Sequence, residues 1–263
     1  MDKHLLIGTS GYSYTDWVGC FYPSGMRQGD FLQYYSDRFD MTELNFTYYR
    51  QPEASQISRM AETVRKEFIF TVKAHRTLTH EINPAVLQQE SQTFLQGIEP
   101  LLQEDKLKAV LFQFPHSFHY TDQNRRYLDT LLNTFQGIPS ALEFRGRDWQ
   151  RPSVYGELDR RGVALVNVDE PRLYSLPKPT ALVTSDRLAY VRFHGRNREN
   201  WWGGDNVSRY DYCYSDAELK EWVPRVKEML ERAGVVLLVF NNHSRGQAVQ
   251  NAIRLREMLK AEA

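Results

Sequence analysis

Short β-branched and aromatic runs recur along the chain, with helical patterns between them. They lie at His4–Gly8, Met41–Phe46, Phe68–Ala74, Ala109–Pro115, Ser140–Arg145, Val163–Asp169, Leu188–Gly195 and Val235–Asn242. Their starts advance by about 33 residues at each step, the size of a strand–loop–helix–loop unit. Strands that alternate with helices predict a parallel sheet joined by crossovers. Eight such units in one domain predict a closed (β/α)8 barrel rather than an open doubly wound sheet.

The segments between the runs carry helical spacing and start signals. Pro52-Glu53-Ala54 opens a helix whose apolar face is Ile57, Met60, Ala61 and Val64. Asp122 is placed to cap a helix bearing Tyr127, Leu128, Leu131, Leu132 and Phe135. Ser215-Asp216-Ala217-Glu218 has the form of a capping box. The last helix, about Gly246–Ala261, shows Ala248, Ile253, Leu255 and Leu259. Between the sixth and seventh runs, Pro171, Pro177 and Pro179 rule out a long regular helix.

Side chains alternate between the two faces of a strand. Ile69, Thr71 and Lys73 share one face in the third run; Ala109, Leu111 and Gln113 in the fourth; Ala141, Glu143 and Arg145 in the fifth. In the sixth run the same rule groups Val163, Leu165, Asn167 and Asp169 against Val166 and Val168. Each polar residue sits near the C-terminal end of its run. If those faces line the bore, the polar groups collect at the C-terminal mouth, where barrel active sites lie. The set is Glu43, Asn45, Lys73, Gln113, Glu143, Arg145, Asn167, Asp169, Arg192, His194, Asn241 and Asn242. A buried ion-pair lattice would account for any one of them. Contributions from seven strands favour a functional site, because buried charge is costly.

Charge narrows the chemistry. The 263 residues hold 33 Lys+Arg and 33 Asp+Glu, so the chain is neutral overall, against a protein that coats polyanions. The predicted bore is balanced too, with Glu43, Glu143 and Asp169 facing Lys73, Arg145 and Arg192. Metal sites favour carboxylates and imidazoles without as many cations, so no cofactor is expected. A divalent metal on Glu43, Glu143, Asp169 and His194 is the lesser alternative. The cations suit a phosphate or carboxylate, with Arg145 and Arg192 able to grip it bidentately. Glu43 and Glu143 would act as general acid and base, their pKa values separated by different cationic neighbours. Lys73 is either a Schiff-base nucleophile or, the favoured reading, an ion-pair partner of a bore carboxylate.

The aromatic content, 13% of residues, adds a second signal. After the seventh run, His194-Gly195-Arg196-Asn197-Arg198-Glu199-Asn200-Trp201-Trp202-Gly203-Gly204 continues to Arg209-Tyr210-Asp211-Tyr212-Cys213-Tyr214, a long loop of the kind that forms lids or binding surfaces. Arg beside Trp and Tyr suits stacking on a base or sugar next to a phosphate. The first loop is similar, with Tyr12, Tyr14, Trp17, Phe21 and Tyr22. Trp17, Trp149, Trp201 and Trp202 all fall in loops expected at the active face. Packing of these rings onto the rim is the equal alternative. His75, His80, His116 and His119 carry less weight as loop histidines, and no Walker A motif or nucleophile elbow occurs.

Cys20 and Cys213 are two cysteines without metal or redox spacing, read as free thiols in a reducing cytoplasm. No apolar run spans a membrane, and the first residues lack a signal-peptide pattern.

Several of these segments together resemble the YecE-like family, a widespread domain of unknown function. Ile7-Gly8-Thr9-Ser10-Gly11-Tyr12-Ser13-Tyr14 with Trp17 and Phe21-Tyr22-Pro23 resembles its opening, and Thr42-Glu43-Leu44-Asn45 followed by Tyr48-Tyr49-Arg50-Gln51-Pro52 its second-strand motif. Leu78-Thr79-His80, Gln113-Phe114-Pro115, Glu143-Phe144-Arg145 with Trp149, Arg192-Phe193-His194-Gly195, Tyr210-Asp211-Tyr212 and Phe240-Asn241-Asn242-His243 with Gly246 and Ala248 are similar as well. The resemblance implies a TIM-type barrel and brings no reaction with it. Two positions depart from it: Gly146 stands where many relatives have His, and Phe46 where a small hydroxyl residue is usual. The barrel type is distantly like the endonuclease IV and xylose isomerase group, by fold analogy alone.

The expectation is a single domain over 1–263, a cytoplasmic barrel enzyme using acid/base chemistry on a phosphorylated or nucleotide-like anion. Glu43, Lys73, Glu143 and His194 form its centre. Tyr12, Trp17, Asn45, Tyr48, Gln113, Arg145, Asp169, Arg192, Arg198, Trp201, Asn241 and Asn242 are the expected ligand contacts. A nucleic-acid-binding or nucleic-acid-processing protein using the Arg/Trp/Tyr loops is the first alternative, since neutrality still allows a local basic rim. A metal-dependent hydrolase or isomerase is the second.

Overall fold

Eight parallel strands pair in chain order, and the last pairs back with the first to close a barrel. They are β1 (His4–Ser10), β2 (Met41–Leu44), β3 (Ile69–Lys73), β4 (Leu107–Phe114), β5 (Ser140–Phe144), β6 (Ala164–Asp169), β7 (Leu188–Phe193) and β8 (Val235–Phe240). This computed structural model describes residues 4–262; residues 1–3 and 263 of the expected domain lie outside the described residues.

The crossovers carry α1 (Phe31–Ser36), α2 (Phe46–Tyr49), α3 (Ala54–Thr63), α4 (Leu87–Gln103), α5 (Asp122–Thr134), α6 (Pro152–Arg161), α7 (Asn206–Arg209), α8 (Asp216–Lys220), α9 (Val223–Arg232) and α10 (Gln247–Ala261). Their termini follow local chemistry. Ser215 and Glu218 form the capping box at the start of α8. The cap of α5 is Thr121 rather than Asp122; its hydroxyl accepts from the Asn124 amide, which leaves Asp122 in the first turn beside the helix dipole. Gly162 ends α6 in the left-handed region at φ 65°, where a Cβ would be strained. Ile253, expected on the core face of α10, is exposed, and Ala248, Val249, Ala252 and Leu255 hold that face instead. Between β6 and β7 the described chain has no helix, as the prolines require. No helix among the described residues is long and apolar enough to cross a membrane.

Two packed layers position the site. Outside the sheet, strand residues such as Val72, Phe112, Leu142, Val191 and Leu238 pack on the helices in one large buried cluster. Inside, Met41, Ile69, Leu111, Ala141, Val166, Tyr190 and Leu237 fill the lower bore, so the barrel is a packed core and not a channel.

That inner cluster corrects one face. In β6 it contains Ala164, Val166 and Val168, while Val163 and Leu165 belong to the outer cluster. Alternation therefore turns Asn167 and Asp169 outward and brings the next residue, Glu170, to the bore. Bulky valines in the bore and polar groups outside reverse the assumption that the polar face of a strand is the inner one.

Candidate functional site

One guanidinium organises the mouth of the bore. Arg192, on β7, donates to Glu43 of β2 at 2.7 Å and to Glu143 of β5 at 2.6 Å. Glu43 also accepts from the Ser10 hydroxyl at 2.5 Å and the Tyr190 phenol at 2.6 Å, while Asn45 donates to Ser10 at 2.5 Å. Glu143 takes Arg145 Nε at 2.8 Å on its other oxygen, and Arg145 reaches on to Glu170 at 3.3 Å. The enclosed pairs of Glu43 and Glu143 are tolerated because each of these two carboxylates accepts several donors. They tie together strands whose side chains would otherwise repel or leave charge unpaired.

Burial and neighbours set the protonation states. Burial alone would raise the Glu143 carboxyl, but Arg192, Arg145 and His194 together hold it well below the usual range. Burial, with Arg145 beside it, pushes His194 down to about 3, so its ring is neutral. Its Nε2 faces Glu143 at 3.2 Å and its Nδ1 faces the Asn241 amide at 3.1 Å. An ionised carboxylate only accepts and the amide nitrogen only donates, which assigns the proton to Nε2. Glu170 moves the other way. Burial lifts it to about 8, the nearby Arg145 offsetting only part of the rise and the neighbouring Glu143 and Asp169 charges adding to it.

Above this floor lies a cavity of about 530 Å³. Lys73, Arg145, Arg192 and Arg209 line it, with His80, His116 and His243, the amides Asn45, Gln113 and Asn241, and a wall of Tyr14, Tyr48, Tyr49, Trp201, Trp202 and Tyr210. Among the described residues, no Asp or Glu lines it. The Lys73 ammonium stands 4.4 Å over the Tyr48 ring, and the same ring meets His80 edge-on at 4.9 Å. Among the described residues, no carboxylate lies within 4 Å of Lys73 Nζ or of the Arg209 guanidinium. The ion pair expected for Lys73 is therefore not formed; Arg145 and Arg192 satisfy the bore carboxylates instead. Burial, then the nearby Arg192, lowers the Lys73 amine to about 7.

The structure brings Asn45, Tyr48, Lys73, Gln113, Arg145, Arg192, Trp201 and Asn241 to the cavity wall. It places Glu43, Glu143 and His194 fully buried in the layer beneath, where the pair expected as acid and base share Arg192 and Glu143 has Arg145 as well. Arg145 and Arg192, expected as free anion grips, are already held by carboxylates. Other expected contacts stand apart from the cavity. Asp169 accepts from Trp222 Nε1 and Arg196 Nη2, each at 2.7 Å, and from the Tyr214 hydroxyl at 2.9 Å, behind the barrel wall. Asn242 donates to Asn251 and to the Tyr212 carbonyl. Trp17 is buried and donates to the His243 carbonyl, Tyr12 packs near Tyr35, and Arg198 is exposed. Trp149 stacks on Phe118 and Phe144 in the core, so of the four loop tryptophans only Trp201 and Trp202 reach the cavity.

Sequence reasoning missed Ser10, Glu170, Tyr190, Arg209 and Tyr210. Ser10 and Tyr190 were open to the counting rule, two residues on from Gly8 and two before Arg192 on the bore faces of β1 and β7. Arg209 and Tyr210 lay in the long loop already singled out, but nothing local shows which way they turn.

A divalent metal finds no fitting donor set. Among the described residues no three His, Cys, Asp or Glu side chains gather to hold an ion. The named donors are spent on other partners: Glu43 and Glu143 on arginines, His194 on Glu143 and Asn241, Asp169 on the far side of the wall.

The family model described as "Protein of unknown function DUF72" matches residues 6–263. The chain is 32% identical to the UPF0759 protein YunF of Bacillus subtilis (strain 168), over 98% of this chain and 95% of that one. A DUF72 family protein from Thermotoga maritima MSB8 superposes with a TM-score of 0.89 at 38% identity, covering 98% of this chain and 99% of that one. One from Enterococcus faecalis V583 gives 0.87 at 27% identity, covering 97% and 95%.

Proposed function

The chain belongs to the DUF72 family of proteins of unknown function, the family to which its motifs point, and from that premise we propose that the mouth cavity binds a small anionic molecule and carries out proton transfer on it. The observation that carries this reading is the sign of the wall: among the described residues, four cationic side chains line the cavity and no carboxylate does. Glu43 and Glu143 neutralise Arg192 and Arg145 from below, which leaves Lys73 and Arg209 to attract a phosphate or carboxylate. Unspent hydrogen-bonding capacity supports the same reading. Arg192 Nε, Arg209 Nε and Asn45 Oδ1 are buried without a partner among the described residues, a costly state that a polar ligand would relieve. A volume of about 530 Å³ suits a small molecule, and the aromatic wall suits a ring or sugar beside the anion.

Two cavity groups are placed for proton transfer near neutral pH. The Lys73 amine, at about 7, holds or releases a proton there. Burial and the Lys73 charge push His80 down to about 4, so it stands as a neutral base. Glu43, Glu143 and His194 act through others in this reading, as positioning residues that hold Arg192 and Arg145.

Thermal unfolding at fixed ionic strength tests the proposal, with phosphate, glycerol 3-phosphate and adenosine monophosphate as probes. A saturable rise in Tm that is abolished in the K73M/R209M double variant is expected. No saturable rise with any probe, or a rise unchanged in the double variant, overturns it.

A further inference from the structure

Lys73 differs from the arginines beside it. Those are pinned by carboxylates, whereas its amine projects from the C-terminal end of β3 into the cavity over the Tyr48 ring, with no hydrogen-bond or ion-pair partner among the described residues. A lysine held as a structural cation would be expected to touch an acid, and Glu43 and Glu143 are within the same mouth but turned to Arg192. We propose that Lys73 is a nucleophile that condenses with the carbonyl group of a small anionic aldehyde or ketone, forming an imine inside the mouth cavity; the inference rests on the anion-binding reading above.

The step balances without any oxidant or reductant. The Nζ lone pair attacks the carbonyl carbon, forming the C–N bond and moving the π electrons onto oxygen. A proton passes from nitrogen to that oxygen, giving a carbinolamine. The C–O bond then breaks, the oxygen leaves as water with the second amine proton, and the nitrogen lone pair closes the C=N bond. His80 is placed to relay these protons. It lines the same cavity, touches the same Tyr48 ring, and is oriented by the Thr79 hydroxyl 2.8 Å from its Nδ1. Arg209 and the unspent Nε of Arg192 would hold the substrate's anion while the carbonyl faces Nζ.

The groups that act on the amine agree with this role. Burial and the Arg192 and Arg145 charges lower it, the Glu143 and Glu43 charges raise it, and the balance leaves it near 7, where a large share is the free base that attacks.

The full-length chain incubated at pH 7.5 with glyoxylate or dihydroxyacetone phosphate, in the presence of sodium cyanoborohydride, tests the inference by intact mass and peptide mapping. One reduced adduct per chain is expected, at Lys73, forming at least about tenfold faster than at any other lysine, since an ordinary lysine is almost wholly protonated at that pH. Glycolate, an anion without a carbonyl, should slow the labelling. The K73R variant should lose this adduct while still unfolding cooperatively. Labelling at Lys73 no faster than at other lysines, with the rise in Tm intact, overturns the nucleophile and leaves the anion site standing. Absence of both the adduct and the rise overturns the two together.

Discussion

Arg192 and Glu43 form a 2.7 Å ion pair across the bore, from strands three places apart around the closed sheet, with both side chains essentially without solvent exposure. Glu143 takes the other arm of the same guanidinium at 2.6 Å. One guanidinium therefore bridges two buried carboxylates, and Arg145 is a second cation for Glu143. Removing either acid leaves Arg192 a second partner, but removing Arg192 leaves the buried Glu43 with no cationic partner among the described residues.

The R192M variant should accordingly lose about 3–5 kcal/mol of stability, the range for leaving a buried charge unpaired. Chemical denaturation of the variant against the parent protein measures this. A loss below about 1 kcal/mol would show that the pair is not the brace of the mouth.

Asp169 makes a different prediction because it lies behind the wall. It accepts from Trp222, Tyr214 and Arg196, so every neighbour is a donor. In D169N the amide places its own hydrogens against one of those donors and removes the charge that Arg196 answers. A loss of about 2–4 kcal/mol is expected, with the response to phosphate unchanged once measured well below the lower Tm. A variant of normal stability that no longer responds to phosphate would return Asp169 to the ligand site.

Glu170 controls a pH dependence of stability. Burial raises it from 4.5 to about 8 in the folded chain. Between those values the folded state holds a proton that the unfolded state has released. Stability must then fall as pH rises from about 4.5 to 8, because the unfolded chain binds fewer protons there. E170Q keeps the shape and cannot ionise, so its stability should decline less over that window. Urea denaturation at pH 5, 6.5 and 8 for both proteins decides the matter, and parallel curves would refute the assignment.

Much of the fold was legible before any coordinate. The proline-rich stretch after β6, the Ser215–Glu218 cap and the spacing of the strand runs are local properties, set within a few residues of each other. The inward faces of β3, β4 and β5 also followed from alternation, since their polar residues do face the bore. In β6 the same rule failed at its one free choice, which parity is inward. Asn167 and Asp169 are polar and buried yet point outward, because Leu182, Thr180, Trp222 and Tyr214 arrive from distant segments to satisfy them. Polar residues that find such partners need no bore to hide in.

By itself the sequence determined a ring of strand–helix units with titratable groups at one end, because hydrophobic period, helix caps and turn breakers act over short stretches of chain. The tertiary structure decided which charges remain available. Among the described residues Lys73 has no carboxylate partner, while Arg192 is held because Glu43 and Glu143 reach it from strands far away in sequence, and Glu143 also takes Arg145 beside it. Ion pairing depends on distances of a few ångströms between such residues, and only closure of the barrel sets those distances.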